Sequence, residues 1–399
     1  MGVVGVSARS MQLIKILDAG GDDGCQFTAL YDPSPDSVTA AAAALQFGTT
    51  QCFEEYHSML VSGLIDAVLI GSPMEFHAQQ TIEALDSGIH VLCEVTAAVT
   101  LEECRAVVQA AARSSAQYMM AENYCYSSFT RFIAQQVASK RFGEPYYAEA
   151  EYLLRAQVKS SAWRRHWMVG RNGITYGTHS LGPVLAWFGG DRIRTLSCVD
   201  SGSHYSDETG APYASDGAVL LGRTVQGRLI KLRLDLVSAQ PGGQRFVLQG
   251  TRGVFEQTDS VGRLSLLPDA DEADDAGSAA DNQMPAWTPL EDAMAAADQA
   301  SGGSRPALGS PASGYSSPSY ATSIELMMAD FLSLCRYGER GSQELTSVAG
   351  VHAAMDLTLP GLISELSAEQ DGAWIEVPDS RAWDGTLGRA AGVGGRARM

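Results

Sequence analysis

The chain has 399 residues, of which 45% are hydrophobic and 19% are charged, and a formal net charge of −18. This length exceeds one ordinary core and favours two domains, and no apolar run reaches the ~18 residues of a membrane span. The acidic balance argues against nucleic-acid binding, while seven scattered cysteines without a C-x-x-C pair argue against a disulfide framework or metal site and favour a reduced, cytoplasmic setting.

A short apolar strand, a turn and a helix open the chain. Gly2–Ser10 predicts the strand and turn, and the apolar spacing of Met11–Ala19 predicts the helix. This order is typical of a dinucleotide fold, in which the turn and the helix N-terminus bind the pyrophosphate. Only the first glycine of G-x-G-x-x-G is present, so the motif alone is weak. The cofactor contacts expected here are Gly5, Ser7, Ala8, Arg9 and Ser10.

A second strand, Gln26–Tyr31, ends at Asp32, ~20 residues past the turn. A carboxylate at this position can accept hydrogen bonds from the adenosine ribose hydroxyls and would repel a 2′-phosphate. The cofactor is therefore expected to be NAD rather than NADP. The alternative is that Asp32 only caps the turn that follows it.

Strands and helices continue to alternate up to residue 121. This alternation predicts an α/β fold, with an N-terminal Rossmann domain over residues 1–122 built on a doubly wound parallel sheet. Ligands bind such sheets at the carboxyl ends of the strands, where further cofactor contacts are expected. These are Ser72, Pro73, His77, Glu94 and Asn123.

The hydrophobic period changes in the second half of the chain. Alternating polar and apolar residues in Tyr147–Leu153 and Ile230–Leu236 predict a mostly antiparallel, open sheet. A helix from Ser180 to Phe188 would cover its apolar face. The uncovered face predicts a homodimer or homotetramer, because such a face usually finds a partner.

We accordingly expect a C-terminal α+β domain over residues 123–383 that binds substrate and mediates assembly. Within it, the Asp-, Ala-, Gly-, Ser- and Pro-rich composition of residues 268–320 predicts a disordered insertion. Residues 384–399 are expected to form a flexible tail.

Tyr176 and His179 stand three residues apart ahead of an apolar run. At that spacing both can face one side of a first helical turn, where a phenol and an imidazole can exchange a proton near neutral pH. The alternative is a buried pair whose polar atoms are bound to backbone. Upstream, Trp163 and Arg164 are candidate substrate contacts, since a Trp ring can stack on a sugar and Arg can bind hydroxyls. Here the alternative is a buried Trp pair, Trp163 and Trp167, with solvated arginines.

With these elements placed, the chain resembles the Gfo/Idh/MocA family of glucose–fructose oxidoreductases and inositol dehydrogenases. The matching motifs are Ile70-Gly71-Ser72-Pro73 with His77, and Cys93-Glu94-Val95. The resemblance implies a Rossmann domain followed by an open-faced sheet that commonly mediates oligomers. The family's usual Glu-Lys-Pro is replaced by Glu94-Val95-Thr96, so the lysine that assists alcohol oxidation is absent.

Three further segments are similar to the NAD-dependent N-acetylgalactosaminidase branch of that family. They are Glu-Val-x-Ala-Ala from residue 94, Met119–Asn123 with Tyr126, and Tyr176-x-x-His179-x-Leu-Gly-Pro. The resemblance implies a redox-assisted hydrolysis, in which NAD⁺ takes hydride from the sugar C3, a base removes the C2 proton, the aglycone leaves, water adds and the hydride returns. It implies Tyr176, His179 and Tyr126 as catalytic residues, with the first two also contacting substrate.

Three functions are therefore weighed for this chain. The favoured one is a redox-assisted glycoside hydrolase or lyase acting on a carbohydrate or glycoside. The alternative is a simple NAD-dependent sugar or cyclitol dehydrogenase that uses the Tyr–His pair in place of lysine. The third is a non-catalytic NAD-binding protein, suggested by Ser7, Ser10 and the missing lysine. Net accumulation of NADH would distinguish the dehydrogenase from the other two.

Overall fold

The structure is a computed structural model. It describes residues 1–19, 24–45, 51–154, 164–169, 171–207, 209–237, 239, 242–258, 261–268, 286–300, 318–339 and 346–383.

Six short parallel strands form the N-terminal sheet. The strands are β1 (Gly2–Val4), β2 (Ala29–Tyr31), β3 (Gln51–Phe53), β4 (Ala67–Ile70), β5 (His90–Cys93) and β6 (Tyr118–Met120). The helices between them are α1 (Ala8–Ala19), α2 (Pro35–Leu45), α3 (Tyr56–Leu60), α4 (His77–Asp86) and α5 (Leu101–Arg113). The strand order is β3-β2-β1-β4-β5-β6, which confirms the predicted doubly wound parallel sheet.

The second sheet follows helix α6 (Ser128–Ala138). Its strands are β7 (Pro145–Leu153), β8 (Ile193–Asp200), β9 (Gly217–Thr224), β10 (Leu229–Asp235), β11 (Gly243–Gly250), β12 (Gly253–Thr258), β13 (Val261–Leu266), β14 (Thr288–Pro289) and β15 (Ile375–Glu376). The helices of this half are α7 (Thr178–Trp187), α8 (Leu290–Ala300), α9 (Pro318–Tyr337) and α10 (Val351–Ala368).

The nine strands are ordered β14-β13-β12-β11-β7-β10-β9-β8-β15. The β7–β10 pair is parallel and the other pairs are antiparallel, which confirms the predicted mixed, mostly antiparallel sheet. Alternate residues of β7, such as Ala148 and Ala150, are fully buried. Helix α7 packs against β7 and β11, and α10 packs against β8 and β15. These two helices cover the apolar face, as the strand alternation requires.

The last two long helices return to the N-terminal domain. Helix α9 packs against α1, and α10 packs against α5 and β6. Just before α10, Ala349 forms an isolated antiparallel bridge with Met119 of β6. The carboxyl end of β6 is therefore enclosed by residues that are distant in sequence.

The disordered insertion predicted for residues 268–320 is wrong for its middle part. Strand β14 pairs with β13, and α8 follows it with Leu290 and Met294 buried. A side chain at Gly262 of β13 would come within 2.7 Å of Leu290, so the strand and helix are closely packed. Residues 269–285 and 301–317, and the tail expected at 384–399, lie outside the described residues.

None of the described helices is long and apolar enough to cross a membrane. The described residues also hold no cluster of three or more His, Cys, Asp or Glu side chains arranged for a metal ion.

Candidate active site

The loop after β1 has the backbone geometry that a dinucleotide-binding turn requires. Gly5 has φ +77, and a Cβ there would lie 2.4 Å from the Ser72 amide nitrogen, so only glycine fits. Ser7 caps helix α1, because its Oγ accepts a hydrogen bond from the Ser10 amide at 3.2 Å. Helix α1 begins at Ala8, and its N-terminus borders the loop at the carboxyl end of β1.

Ser10 was expected to contact the cofactor, but it is fully buried. Its hydroxyl donates to the Gly5 carbonyl at 2.6 Å. A Cβ on Gly71 would come within 2.3 Å of Ser10 Oγ. Ser10, at the third glycine position of the motif, therefore lies against Gly71 at the end of β4. Its hydroxyl hydrogen-bonds to the turn instead of contacting the cofactor.

Asp32 stands at the carboxyl end of β2, beside the same loop. Its Oδ2 accepts from the Val6 amide at 2.9 Å and its Oδ1 from the Ser34 amide at 2.9 Å. The turn-capping alternative is therefore realised, and the carboxylate is also tied to the loop after β1. Each carboxylate oxygen has a second acceptor site, so these bonds leave Asp32 able to accept from ribose hydroxyls.

Arg9 connects the ends of three strands. Its Nε donates to Glu94 Oε1 at 2.8 Å, and its Nη2 donates to Asn123 Oδ1 at 3.4 Å. Its guanidinium also lies over the ring of Tyr320, 5.6 Å from the centroid. Ser72 is fixed separately, since its hydroxyl donates to Gln80 Oε1 at 2.6 Å. Three of the predicted cofactor residues thus meet in one hydrogen-bonded group.

His77 does not line the cleft, contrary to the expectation from its position. The side chain is 1% exposed. Its Nδ1 lies 2.7 Å from the Thr96 carbonyl oxygen and its Nε2 lies 2.9 Å from the Ser72 carbonyl oxygen. The residue is placed after a strand end, but its ring points back into the protein.

His179 lies in the first turn of α7 and is 6% exposed. Its Nδ1 is 2.7 Å from Oε1 of Glu122, which is fully buried at the end of β6. Its Nε2 is 3.4 Å from the hydroxyl of Tyr176. Because a carboxylate only accepts, the proton of a neutral ring is assigned to Nδ1, which leaves Nε2 as the acceptor. The predicted Tyr176–His179 pair is brought together in the structure.

Two tyrosines that are not among the predicted site residues complete the surroundings of His179. The ring centroid of Tyr124 lies 4.7 Å from the imidazole, and that of Tyr152 lies 5.3 Å from it. Tyr152 is also 6.2 Å from the Tyr176 ring. Three phenols therefore surround one imidazole. The missed Glu122 does have a sequence signal, because it follows a parallel strand directly and precedes Asn123.

Close backbone packing holds the segment that carries Tyr176. The Ile174 amide donates to Ser364 Oγ of α10 at 2.8 Å. A Cβ on Gly361 of α10 would lie 3.0 Å from the Ile174 carbonyl oxygen. In α7, a Cβ on Gly182 would lie 2.7 Å from the sulfur of Cys125. Small residues on two helices therefore set the position of the Tyr–His pair.

Tyr126, expected to be catalytic, has the surroundings of a structural residue. It is 1% exposed, and its hydroxyl donates to Asp330 Oδ2 of α9 at 2.5 Å. Ser347 donates to the same oxygen at 2.6 Å, and the Val348 amide donates to the Tyr126 hydroxyl at 3.5 Å. Burial and the nearby Asp330 carboxylate raise the pKa of Tyr126 well above its ordinary value. These contacts join β6 to the C-terminal helices, and they do not support a catalytic role.

The two expected substrate contacts upstream cannot be placed. Trp163 lies outside the described residues, and Arg164 is described only as the first residue of a π-helical segment, Arg164–Val169.

The N-terminal loops fit a dinucleotide. The glycine-only turn, the N-terminus of α1 and the carboxylate of Asp32 lie along adjacent strand ends, in the order that such a cofactor requires. Beyond them, Asn123 belongs to the Arg9 group while the preceding Glu122 holds His179. The arrangement can therefore hold a nicotinamide cofactor beside a group that accepts and donates protons.

Two family models match this chain. Residues 1–122 match an oxidoreductase family with an NAD-binding Rossmann fold, Gfo/Idh/MocA. Residues 136–282 match the C-terminal domain of glycosyl hydrolase 109. Both matches confirm the resemblance expected from the motifs, and the first confirms NAD as the cofactor of the N-terminal domain.

Curated relatives match part of the chain. A glycosyl hydrolase family 109 protein of Shewanella pealeana is 32% identical over 266 residues, covering 58% of this chain and 58% of the relative. An alpha-N-acetylgalactosaminidase of Shewanella oneidensis is 33% identical over 223 residues, covering 50% of this chain and 49% of the relative. The matched region thus spans about half the length of these relatives.

Solved structures match nearly the whole chain in fold. A levoglucosan dehydrogenase in complex with NADH and levoglucosan superposes with a TM-score of 0.71 at 17% identity, covering 95% of this chain and 98% of that one. An inositol dehydrogenase homologue from Azotobacter vinelandii, complexed with NADH and myo-inositol, gives 0.71 at 18% identity, with coverage of 94% and 96%. The solved structures thus share the fold of this chain, and the two family models match a Gfo/Idh/MocA NAD-binding Rossmann domain followed by a glycosyl hydrolase 109 C-terminal domain.

Proposed function

We propose that this protein is a redox-assisted glycoside hydrolase or lyase, an NAD-dependent enzyme that transfers hydride to and from C3 of a sugar. One observation carries the proposal. Two consecutive residues after β6 bind different parts of the site. Asn123 accepts a hydrogen bond from Arg9 on the cofactor side, and Glu122 binds the ring of His179. The cofactor loops and the acid–base pair therefore share one strand end. The match to glycosyl hydrolase 109 supports glycosides as the substrate class.

His179 acts as the general base and acid for the proton of the sugar hydroxyl. When bound, NAD⁺ supplies the hydride acceptor, and its reduced form later supplies the hydride donor. As the hydroxyl is oxidised, Nε2 of His179 takes its proton, and Glu122 on Nδ1 stabilises the imidazolium that forms. Val95, at the position of the family's lysine, has no proton to exchange.

A phenol beside His179 serves as the base for the C2 proton. Tyr176 contacts Nε2 at 3.4 Å, and Tyr152 lies against both rings. Only the phenolate form of tyrosine is a base, and a neighbouring cation or hydrogen-bond donor stabilises that anion. The imidazolium of His179 is such a cation, so hydroxyl oxidation favours loss of the phenol proton to solvent, and the phenolate then takes the C2 proton and becomes a phenol again. Tyr176 is our first assignment because its hydroxyl faces the imidazole.

The test uses an aryl N-acetylgalactosaminide deuterated at C2, chosen from the name of the S. oneidensis relative. Release of the aryl alcohol without net NADH, with the label exchanged into solvent, is the expected result. Retention of deuterium through complete turnover would exclude elimination. Accumulating NADH without aglycone release would establish the simple dehydrogenase instead.

Variants assign the base. Tyr176→Phe is expected to abolish label exchange and lower turnover by ~10²–10⁴ with little change in NAD affinity. Tyr152→Phe is the competing assignment, and loss of exchange in that variant alone would transfer the role. Tyr205→Phe, at an exposed site, is the matched control.

We also propose that the open face of the second sheet forms a homodimer or homotetramer interface. One cross-strand row on this face runs Ser197, Leu221, Lys231, Glu149 and Val247, mixing apolar and charged side chains. Leu221 is 41% exposed in the isolated chain. Light scattering at micromolar concentration should find an oligomer that Leu221→Asp weakens, whereas Val61→Asp on the N-terminal domain should not. A monomer in the unaltered protein would contradict this assembly.

A further inference from the structure

His77 makes two hydrogen bonds that a neutral imidazole cannot make together. Its Nδ1 faces the Thr96 carbonyl oxygen at 2.7 Å and its Nε2 faces the Ser72 carbonyl oxygen at 2.9 Å. A carbonyl oxygen only accepts, so each ring nitrogen must donate. A neutral ring carries one N–H, and the imidazolium carries two. The geometry therefore selects the charged form.

The surroundings of the ring agree with that charge. Burial lowers the pKa of His77, but the neighbouring Cys93 and the two carbonyl groups outweigh it and raise the pKa to about 9. Cys93 is the titratable neighbour on β5, and it in turn contacts the buried Tyr118 of β6. Its sulfur also lies 3.3 Å from the Glu94 carbonyl oxygen.

The two carbonyl groups belong to different cofactor loops. Ser72 follows β4 and Thr96 lies three residues past β5. In the sheet order, Asp32 on β2 marks the adenosine side of β1, so β4 and β5 border the nicotinamide side. The ring thus bridges the loops on the side where the redox chemistry takes place.

We propose that His77 is a fixed imidazolium that clamps the loops after β4 and β5 and places a positive charge near the nicotinamide. It is a positioning residue, because its buried ring touches neither cofactor nor substrate. The inference rests on the NAD site of the proposed function. Oxidised nicotinamide is a cation and reduced nicotinamide is neutral, so this charge favours NADH over NAD⁺ on the protein. It thereby favours hydride abstraction from the sugar.

Two measurements need no turnover and so stand apart from the glycosidase proposal. In ¹⁵N-histidine-labelled protein, both His77 nitrogens should remain protonated between about pH 6 and pH 8, where free histidine loses a proton. The His77→Gln variant, which lacks this signal, assigns it. A neutral His77 ring at pH 7 would overturn the proposal.

The second measurement compares NAD⁺ and NADH binding. In His77→Gln, the ratio Kd(NAD⁺)/Kd(NADH) should fall by roughly three- to tenfold, since the charge that repels the oxidised ring is gone. Thr96→Val removes the hydrogen bond from the Thr96 hydroxyl to the Ala98 carbonyl in the loop after β5 without changing charge, and it should leave the ratio unchanged. If His77→Gln weakens the binding of NAD⁺ and NADH equally, the role of His77 is purely structural and the electrostatic role is refuted.

The pH dependence of stability is a further test of the charge on His77. A histidine whose folded pKa is raised stabilises the fold fully below its unfolded pKa, ~6.5, and loses that contribution as pH rises through the folded value. The advantage of the unaltered protein over His77→Gln in thermal midpoint should therefore shrink between pH 7 and a pH above about 9. An advantage that grows with pH would contradict a charged His77.

Discussion

Glu122 and His179, 57 residues apart in sequence, meet in a buried hydrogen bond of 2.7 Å between Oε1 and Nδ1. The carboxylate orients the ring and stabilises its charged form. Glu122→Gln keeps an acceptor but loses the charge, so turnover should fall by at least about tenfold while NAD affinity is retained. Steady-state rates and NAD titration measure the two effects.

A surface pair provides the control for that variant. Glu83 lies 3.1 Å from His57, and both side chains are far more exposed than Glu122 and His179. Glu83→Gln removes a similar contact away from the site and should leave turnover unchanged. Equal turnover in the two Glu→Gln variants would show that Glu122 does not belong to the acid–base group.

Asp32 should determine the choice between the two dinucleotides. The unaltered protein is expected to bind NAD at least about tenfold more tightly than NADP, because the carboxylate repels a 2′-phosphate. Asp32→Ser should narrow that preference, and Asp36→Ser, at an exposed site in the first turn of α2, should not. Calorimetric titration with both nucleotides measures this. Tighter NADP binding by the unaltered protein would reverse the assignment.

Tyr126→Phe should affect stability and leave chemistry nearly intact. The variant removes a donor from the buried Asp330 carboxylate, which costs about 1–3 kcal/mol in the free energy of unfolding. Denaturant unfolding and steady-state rates, compared with Tyr205→Phe, separate the two effects. A tenfold loss of turnover at unchanged stability would restore the catalytic role that the sequence suggested.

Gly182→Ala tests how closely α7 must approach the end of β6. The added Cβ would lie 2.7 Å from Cys125 Sγ and 3.1 Å from Glu122 Cγ, so both must shift. We expect a loss of about 1–3 kcal/mol in stability together with reduced turnover. Adding Cys125→Ala should recover part of the stability, since the nearer clash is with the sulfur. A single variant as stable and active as the unaltered protein would show that the approach is not tight.

Most of the fold followed from periodicity, but the helix α8 did not. Alternation in β7 and β10 predicted the second sheet because one face is buried and the other is not. The stretch containing Leu290 and Met294 was hidden by its composition, although these two residues have helical spacing. The polar and alanine-rich neighbours of these two residues masked their short apolar pattern. The pattern is explained only by the packing of the helix against β13.

The candidate site was predictable in its positions but not in its side-chain directions. Topology placed Ser10 and His77 at strand ends, yet both point away from the cleft. The Tyr176–His179 pair was found because three-residue spacing is a local property. Glu122 and Tyr152 were missed as partners of His179, because contacts between distant segments depend on how two domains pack.

The adjacency of Glu122 and Asn123 has a consequence for exchanging domains between related proteins. A chimera that takes residues 1–122 from a donor carries the donor's glutamate and leaves the recipient's asparagine, tyrosines and histidine behind. The junction then separates the carboxylate from the imidazole that it orients, and it parts Arg9 from Asn123. A crossover placed inside α6, beyond Ser128, keeps Glu122 and Asn123 with their own Arg9 and Glu94, and only the contact of Glu122 with His179 then joins the two parents. For recombination, the functional unit therefore extends past the boundary of the Rossmann domain.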